Sequence, residues 1–155
     1  MSEDFVHELR VRYGECDPQG IVFNANYLLY FDVAFTELWR EAVGAWQEMV
    51  ERGVDAVVAE SNLRFFVPAR FDDELQLHLR IARLGETALT TEIDVMRGEE
   101  LLLSGWLRHV CVDTRTWNKT AIPEWIRGGL ARFHQPQPAR REASEEAGVP
   151  NAGAG

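Results

Sequence analysis

The stretch ECDPQGIVFNANY, residues 15–27, joins an acidic turn to the start of a long apolar segment. Its tetrapeptide DPQG, residues 17–20, has Asp, Pro and Gly at the first, second and fourth positions, as type I turns favour. The residues that follow are mostly apolar, with two asparagines among them. Asp17 therefore has two interpretations: it shapes the turn, or it performs chemistry beside the apolar segment. Both roles can hold together.

From Asn26 onward, the sequence NYLLYFDVAFTELWREAVGAW predicts one helix that continues to Trp46. Its apolar residues recur at three- and four-residue spacing, which is the helical period. These residues are Tyr27, Tyr30, Phe31, Ala34, Phe35, Leu38 and Ala42. The polar side is narrow, so we expect most of the helix to be buried. A helix of about 20 residues is roughly 30 Å long, similar to a strand of about ten residues.

Most other segments alternate between polar and apolar residues, as strands with one buried face do. The predicted strands are residues 5–13, 56–67, 74–83, 87–97 and 101–113. Short glycine-containing links join the last three strands, which predicts hairpins and antiparallel pairing. A short helix is predicted at residues 124–133, with Pro123 near its start. The predicted fold class is therefore α+β, with a five-stranded antiparallel sheet and one long helix.

The composition limits the classes of function. The chain has 155 residues, enough for one domain with a core, and its net charge of −9 disfavours nucleic-acid binding. No apolar stretch reaches membrane-spanning length, and the N-terminal residues lack the apolar part of a secretion signal. Cys16 and Cys111 have neither metal-ligand nor redox spacing, which is typical of free thiols. We therefore expect a cytoplasmic protein without nucleic-acid or membrane partners.

Residues 1–134 are predicted to form one domain. Residues 135–155 are predicted to be a disordered tail, because they are rich in Pro, Gly, Ala and Glu and contain no aromatic residue. A single sheet over one helix leaves the sheet edges and one sheet face without a partner. A second copy of the chain would cover that surface, so we expect dimerisation.

The order of elements, headed by YGECDPQGIVFNANYLLYFDVA at residues 13–34, resembles the hotdog-fold acyl-CoA thioesterases, and most closely the 4-hydroxybenzoyl-CoA thioesterase family. A second match, SNLRFFVPARFDDELQL at residues 61–77, follows at the distance expected in that family. The resemblance covers residues 5–130. The residues that carry it in the first stretch are Asp17, Gly20, Ile21, Val22, Asn26, Tyr27 and Asp32.

The resemblance implies a hotdog fold, in which a five-stranded antiparallel sheet wraps around a long central helix. It also implies a homodimer or a dimer of dimers, with the active site between two subunits. The implied reaction is hydrolysis of a coenzyme A thioester to a free acid and CoA, with no metal and no cofactor other than the CoA of the substrate. The catalytic group is the carboxylate at the position of Asp17, and main-chain amides at the head of the long helix polarise the thioester carbonyl.

Thioester hydrolysis needs a base or nucleophile and a donor for the oxygen on which negative charge develops. Asp17 either attacks the carbonyl and forms an anhydride, or activates a water molecule, and the sequence leaves both open. The first N–H groups of a helix lack partners within the helix and lie at the positive end of its dipole. The N–H groups of Phe23, Asn24 and Ala25 are therefore candidate oxyanion donors.

Asn24 departs from part of the family. Relatives in the short-chain acyl-CoA branch carry a histidine in a YHANY stretch, where this chain has FNANY. An asparagine amide donates a hydrogen bond but cannot transfer protons near neutral pH. Acid–base work then falls on Asp17 alone, which favours the aryl-CoA branch.

The resemblance assigns the loop and the start of the helix to substrate binding. The residues in this group are Gly20, Ile21, Val22, Phe23 and Tyr27. The two aromatic residues among them also fit an ordinary core. Asp32 has two interpretations of equal weight: it begins a polar stripe with Thr36 and Arg40, or it accepts a hydrogen bond from a polar acyl group.

Ser61 and Asn62 lie in the middle of a predicted strand. They either face the active site of the partner subunit or occupy an edge or surface position. Arg64 and Arg70 are candidates for binding the CoA phosphates, because guanidinium groups suit phosphate. Arg83 and Arg97 are candidates for the same reason, and the sequence does not rank the four arginines.

Two other functions share this architecture. A hydratase or dehydratase of acyl thioesters would bring a histidine to the helix, and none occurs between His7 and His78. A non-catalytic thioester-binding module would bind a CoA thioester without releasing CoA.

Overall fold

Five strands form one antiparallel sheet in the computed structural model, which describes residues 3–136. They are β1 (Phe5–Arg10), β2 (Val54–Phe65), β3 (Glu74–Leu84), β4 (Ala88–Arg97) and β5 (Glu100–Asp113). Their order across the sheet is β1-β3-β4-β5-β2. The predicted five-stranded antiparallel sheet is confirmed, and β1 and β2 are its edge strands.

The helices are α1 (Asn26–Ala42), α2 (Trp46–Glu51) and α3 (Glu124–Leu130), and 3-10 turns lie at Tyr13–Glu15 and Ala131–Phe133. The short predicted helix near the end of the domain is thus present as α3 with the turn that follows it. The first predicted strand ends earlier than expected, at Arg10, because the chain leaves the sheet for the turn before Asp17. No helix within residues 3–136 is long and apolar enough to cross a membrane.

α1 packs against one face of the sheet. Every second residue of β3 from Leu75 to Ile81 is fully buried, and the residues between them lie on the opposite face. On α1, Phe31, Ala34 and Leu38 are 0% exposed. The period-2 pattern of the strands and the 3.6-residue pattern of the helix therefore meet in one apolar layer, as the sequence predicts.

The predicted single helix over residues 26–46 is correct up to Ala42 and wrong in its last four residues, where the helix breaks. α1 ends at Ala42, and the N–H groups of Val43 and Gly44 both donate to the Trp39 carbonyl oxygen, at 2.8 and 3.1 Å. Gly44 adopts φ +125°, a conformation that L side chains rarely adopt, so the helix cannot continue. α2 begins two residues later at Trp46.

The reason for this break lies in the core. The Trp46 indole nitrogen donates to the Asp55 carboxylate at 3.1 Å, and its ring lies 5.2 Å from that of Trp39. In a straight continuation of α1, Trp46 would lie two turns beyond Trp39, about 10 Å along the helix axis. The apolar spacing of residues 43–46 fits either arrangement, which is why periodicity alone does not reveal the break.

The predicted tail, residues 135–155, lies outside the described residues except for Gln135 and Pro136. Of these two, Gln135 is bonded to the domain: its main-chain nitrogen donates to the Ile81 oxygen at 2.9 Å, and its side-chain amide donates to Asp4 at 2.7 Å.

Candidate active site

The loop that carries Asp17 is a closed hydrogen-bonded turn. The N–H of Gly20 donates to the Asp17 carbonyl oxygen at 2.9 Å, which is the bond expected of the predicted DPQG turn. The N–H of Asp17 donates to the Ile21 oxygen at 2.8 Å, and Cys16 forms an antiparallel bridge with Val22. The turn interpretation of Asp17 is therefore confirmed.

The Asp17 carboxylate takes part in the turn through one oxygen only. Oδ1 accepts a hydrogen bond from the Gln19 N–H at 2.8 Å. Oδ2 has no hydrogen-bond partner within residues 3–136. Shaping the turn thus leaves one carboxylate oxygen free for chemistry.

Two contacts hold this loop against the segment that follows β2. The Val22 N–H donates to the Ala69 oxygen at 2.9 Å, and Ile21 forms a bridge with Arg70. The Tyr27 hydroxyl, at the start of α1, accepts a hydrogen bond from the Ala69 N–H at 3.1 Å. Because the hydroxyl oxygen is the acceptor in that bond, the phenol proton remains available to another group.

A cavity of about 320 Å³ lies between the loop, the start of α1 and the end of β2. Its lining residues are Asp17, Gln19, Ile21, Val22, Asn24, Tyr27, Phe65, Phe66, Val67 and Pro68. Five of the sequence-predicted site residues therefore share one cavity: Asp17, Asn24, Ile21, Val22 and Tyr27. Gly20 and Phe23 belong to the same loop but do not line the cavity. Most of the lining residues are apolar, and Asp17 and Asn24 are among the few polar ones, as in many small-molecule sites.

Of the three candidate oxyanion donors, two remain available to a ligand. The Phe23 N–H donates to the Glu15 carbonyl oxygen at 2.9 Å and is not available to a ligand. The N–H groups of Asn24 and Ala25 have no acceptor within residues 3–136. They precede the first residue of α1, Asn26, so they lie at the positive end of the helix dipole.

The remaining predicted residues lie outside this cavity in a single chain. Asp32 is exposed on α1, where its main-chain oxygen accepts a hydrogen bond from the Thr36 hydroxyl at 2.8 Å. Ser61 and Asn62 are exposed on β2, opposite Leu107 and Trp106 of β5 respectively. As neighbours on a strand, they point to opposite faces of the sheet.

The two predicted phosphate-binding arginines are separated. Arg64 lines a different cavity, of about 650 Å³, which also includes Arg80 and Trp106 on the sheet face opposite α1. Arg70 is exposed beside the Asp17 loop, through its bridge with Ile21. Arg70 thus lies beside the Asp17 loop, whereas Arg64 lines a neighbouring cavity that shares Phe66 with the candidate active site.

Sequence reasoning missed the far wall of the cavity. Phe65, Phe66, Val67 and Pro68 form it, at the point where β2 ends. The signal was the run FFVP: Pro68 cannot donate to the sheet, so the chain must leave it there and carry exposed aromatic residues toward the loop. Phe65 and Phe66 are 52% and 51% exposed.

A second missed feature lies behind the loop. The Glu15 side chain is nearly buried, and it accepts hydrogen bonds from Arg12 and from the hydroxyl of Tyr30. Burial by itself would raise the pKa of Glu15, but these hydrogen bonds outweigh it and hold the pKa below its ordinary value. Burial and the bond to Glu15 raise the pKa of Tyr30. The Arg12–Glu15 spacing of a capping box was the only local signal.

Comparison with known proteins identifies the family. The sequence profile of the Thioesterase superfamily matches residues 19–104, more than half of the chain. The acyl-CoA thioester hydrolase YbgC of Escherichia coli O157:H7 is 30% identical over 128 residues, which are 82% of this chain and 93% of that protein. The 1,4-dihydroxy-2-naphthoyl-CoA hydrolase of Synechococcus sp. strain WH7803 is 25% identical over 144 residues, covering 78% and 87% of the two chains.

A solved structure agrees with these matches. The hypothetical protein TT1821 from Thermus thermophilus superposes with a TM-score of 0.78 at 32% identity, and the match covers 83% of this chain and 98% of that one. The sequence match and the superposition agree with the sheet order and with the helix packed on the sheet. The chain belongs to the Thioesterase superfamily and has its hotdog fold, an α+β fold with a five-stranded antiparallel sheet.

Proposed function

We propose that this protein hydrolyses a CoA thioester to a free acid and CoA, with Asp17 as the catalytic carboxylate. The observation that carries the proposal is the shared cavity: Asp17, with one free oxygen, lines it together with Asn24, whose N–H has no acceptor within residues 3–136. Family membership and the names of the relatives support the reaction type.

In the proposed mechanism, Asp17 acts at the thioester carbonyl carbon, and main-chain N–H groups stabilise the carbonyl oxygen. In the nucleophilic route, Oδ2 of Asp17 bonds to the thioester carbonyl carbon, the C–S bond breaks, the CoA thiolate takes a proton from solvent, and water hydrolyses the resulting anhydride. In the general-base route, Asp17 removes a proton from a water molecule that attacks the same carbon, the C–S bond breaks, and the CoA thiolate takes up the proton that Asp17 held. In either route the N–H groups of Asn24 and Ala25 donate to the carbonyl oxygen as it gains charge, and loss of one such donor costs about 3 kcal/mol.

The substrate class we favour is an aryl-CoA thioester, with a short-chain acyl-CoA as the alternative. The cavity wall contains Tyr27, Phe65 and Phe66, whose flat rings suit an aromatic acyl group. Asn24 takes the place where short-chain enzymes carry a histidine. Asp32 would then accept a hydrogen bond from a polar substituent on the acyl group, for which its exposed position on α1 leaves it free.

The assembly we propose is a homodimer or a dimer of dimers, with the sheet of each subunit wrapped around α1 and the active site between two subunits. In that assembly Ser61 and Asn62 lie on β2 beside the partner's site, which one of them faces, and Arg64 and Arg70 bind CoA phosphates. We propose that the reaction uses no metal and no cofactor beyond the CoA of the substrate. A cytoplasmic location is in keeping with the free thiols of Cys16 and Cys111.

Release of CoA from a panel of thioesters, followed with a thiol reagent, tests the function. Asp17→Asn keeps the shape of the side chain but removes its basicity, so we expect kcat to fall by roughly 10²- to 10⁴-fold. Glu99→Gln, in the exposed turn between β4 and β5, is the matched control and should retain wild-type turnover.

The same assay separates the alternatives. Wild-type turnover in Asp17→Asn would contradict the assignment of the carboxylate. Formation of an enoyl product would identify a dehydratase, and binding without release of CoA would identify a non-catalytic module. Faster turnover of aryl than of short aliphatic thioesters would support the proposed substrate class.

A further inference from the structure

Glu15 is a nearly buried carboxylate, 8% exposed, only two residues before Asp17. It does not line the cavity, and the proposed mechanism does not use it. Burying a charged group is costly unless it is fully hydrogen-bonded. The presence of a charge at this position therefore needs an explanation.

Hydrogen bonds to the Glu15 side chain connect two distant parts of the chain. From the segment that follows β1, Arg12 donates through its main-chain nitrogen at 2.7 Å, through Nη2 at 2.7 Å and through Nε at 3.0 Å. From the second turn of α1, the Tyr30 hydroxyl donates to Oε1 at 2.9 Å. The bond to Tyr30 is buried and charge-assisted, which makes it the stronger kind.

The main-chain oxygen of Glu15 makes a second pair of bonds, to the start of α1. It accepts from the Phe23 N–H at 2.9 Å and from the Asn26 side-chain amide at 2.8 Å. Phe23 and Asn26 flank the two residues, Asn24 and Ala25, whose N–H groups have no acceptor within residues 3–136. Glu15 therefore bonds to the residues on both sides of the candidate oxyanion donors. It is also joined to the Asp17 turn by the main chain.

We propose that Glu15 is a positioning residue, which fixes the distance between the Asp17 carboxylate and the amide donors by bonding to Tyr30 with its side chain and to Phe23 and Asn26 with its main chain. This inference rests on the proposed function. The lowered pKa of Glu15 is consistent with it, because the hydrogen bonds that hold the carboxylate ionised are the same bonds that hold the loop.

The test removes one contact at a time. Tyr30→Phe deletes only the hydroxyl that donates to Glu15, and Glu15→Gln keeps the side-chain shape but removes the charge. Because a misplacement of about 1 Å can cost roughly 100-fold in rate, we expect each substitution to lower kcat by about 10- to 100-fold. KM should change by less than about threefold, because Glu15 and Tyr30 lie outside the cavity.

The control is Tyr13→Phe, which removes the hydroxyl of a neighbouring tyrosine that is 81% exposed. It should keep wild-type kcat. If Glu15→Gln fails to fold, Tyr30→Phe alone decides the question.

A double-mutant cycle separates positioning from a general loss of structure. In an Asp17→Asn background, Tyr30→Phe should lower the residual rate by much less than it does in the wild type, since the group it positions is already gone. A full additional loss in that background would overturn the proposal, and so would a raised KM with unchanged kcat. If Asp17→Asn abolishes turnover while Tyr30→Phe leaves it intact, only the positioning role fails. If Asp17→Asn leaves turnover intact, the catalytic assignment of Asp17 fails, and the positioning role fails with it. If the wild type releases no CoA from any thioester, the proposed function itself fails.

Discussion

Asp17 illustrates how one side chain can serve a fold and still be available for chemistry. Its Oδ1 accepts the bond from the Gln19 N–H that closes the turn, while Oδ2 has no partner within residues 3–136. The two interpretations that the sequence leaves open are therefore compatible. The tetrapeptide pattern predicts the turn, but only the folded chain shows which oxygen the turn occupies.

His109 makes the stability of the protein depend on pH. It lies on the inward face of β5, 2% exposed, and stacks on Phe35 with ring centroids 4.0 Å apart. Burial lowers its pKa from 6.5 to about 4. The folded state therefore prefers the neutral ring, and its contribution is complete above pH 6.5 and is lost as the pH falls toward 4.

We expect this residue to weaken the fold in mild acid. A shift of this size corresponds to up to about 3 kcal/mol of unfolding free energy, lost mostly between pH 6.5 and pH 4. His109→Leu removes the titration, so urea unfolding at pH 7 and pH 4.5 should show a smaller difference in the variant than in the wild type. His7→Gln, on β1, serves as the control. Equal pH dependence in wild type and His109→Leu would show that other groups are responsible.

At the scale of elements, Gly105 permits the contact between α1 and the sheet. A Cβ atom built on Gly105 would lie 2.8 Å from Cε2 of Phe31 and 2.2 Å from the Asn62 carbonyl oxygen of β2. Both distances are far below van der Waals contact. Either α1 or the β2–β5 pairing would have to move to admit a side chain.

We therefore expect Gly105→Ala to destabilise the protein by about 1–3 kcal/mol, the usual range for overpacking. Gly128→Ala on α3 is the matched control, because nothing lies within 4 Å of its added Cβ. Since alanine favours helix more than glycine does, the control should be neutral or slightly stabilising. Urea midpoints of the two variants measure the difference, and equal stability of both would contradict the packing argument.

The sequence predicts most of the strands and helices but not all of their ends. Alternation predicts the bounds of β3 well, since predicted residues 74–83 correspond to Glu74–Leu84, whereas the first predicted strand extends three residues too far. The start of α1 at Asn26 is also correct. The break after Ala42 is missed, because residues 43–46 keep a helical spacing and the cause, contacts of Trp46 with Trp39 and Asp55, exists only after folding.

The candidate site is likewise only partly predictable from the sequence. The sequence names Asp17 and Asn24, which share the cavity, through the family resemblance and the position of Asn24 at the helix start. The bond between Glu15 and Tyr30 is not predicted, because its partners are 15 residues apart and neither residue type alone signals it. The wall formed by Phe65 and Phe66 is likewise fixed by sheet topology, which carries the end of β2 to the loop.

In the whole molecule, β2 is an edge strand whose outer side is unpaired within residues 3–136. It pairs only with β5, and within residues 3–136 no other strand lies beside it. Val58 of β2 is 51% exposed. Phe65, at the end of the strand, is 52% exposed and lines the cavity. An unpaired edge with exposed apolar residues is a common site of strand pairing between subunits.

We expect a homodimer whose assembly and activity depend on this edge. Light scattering should give at least twice the chain mass of 17.7 kDa for the wild type. Val58→Asp introduces a charge at the edge and should shift the protein toward monomer, with a parallel loss of turnover because the proposed site needs both subunits. Trp117→Asp, at a residue 64% exposed beyond β5, is the matched control and should remain dimeric and active. A monomeric Val58→Asp protein with full activity would show that one chain holds a complete site, and the roles proposed for Ser61 and Asn62 would then fail.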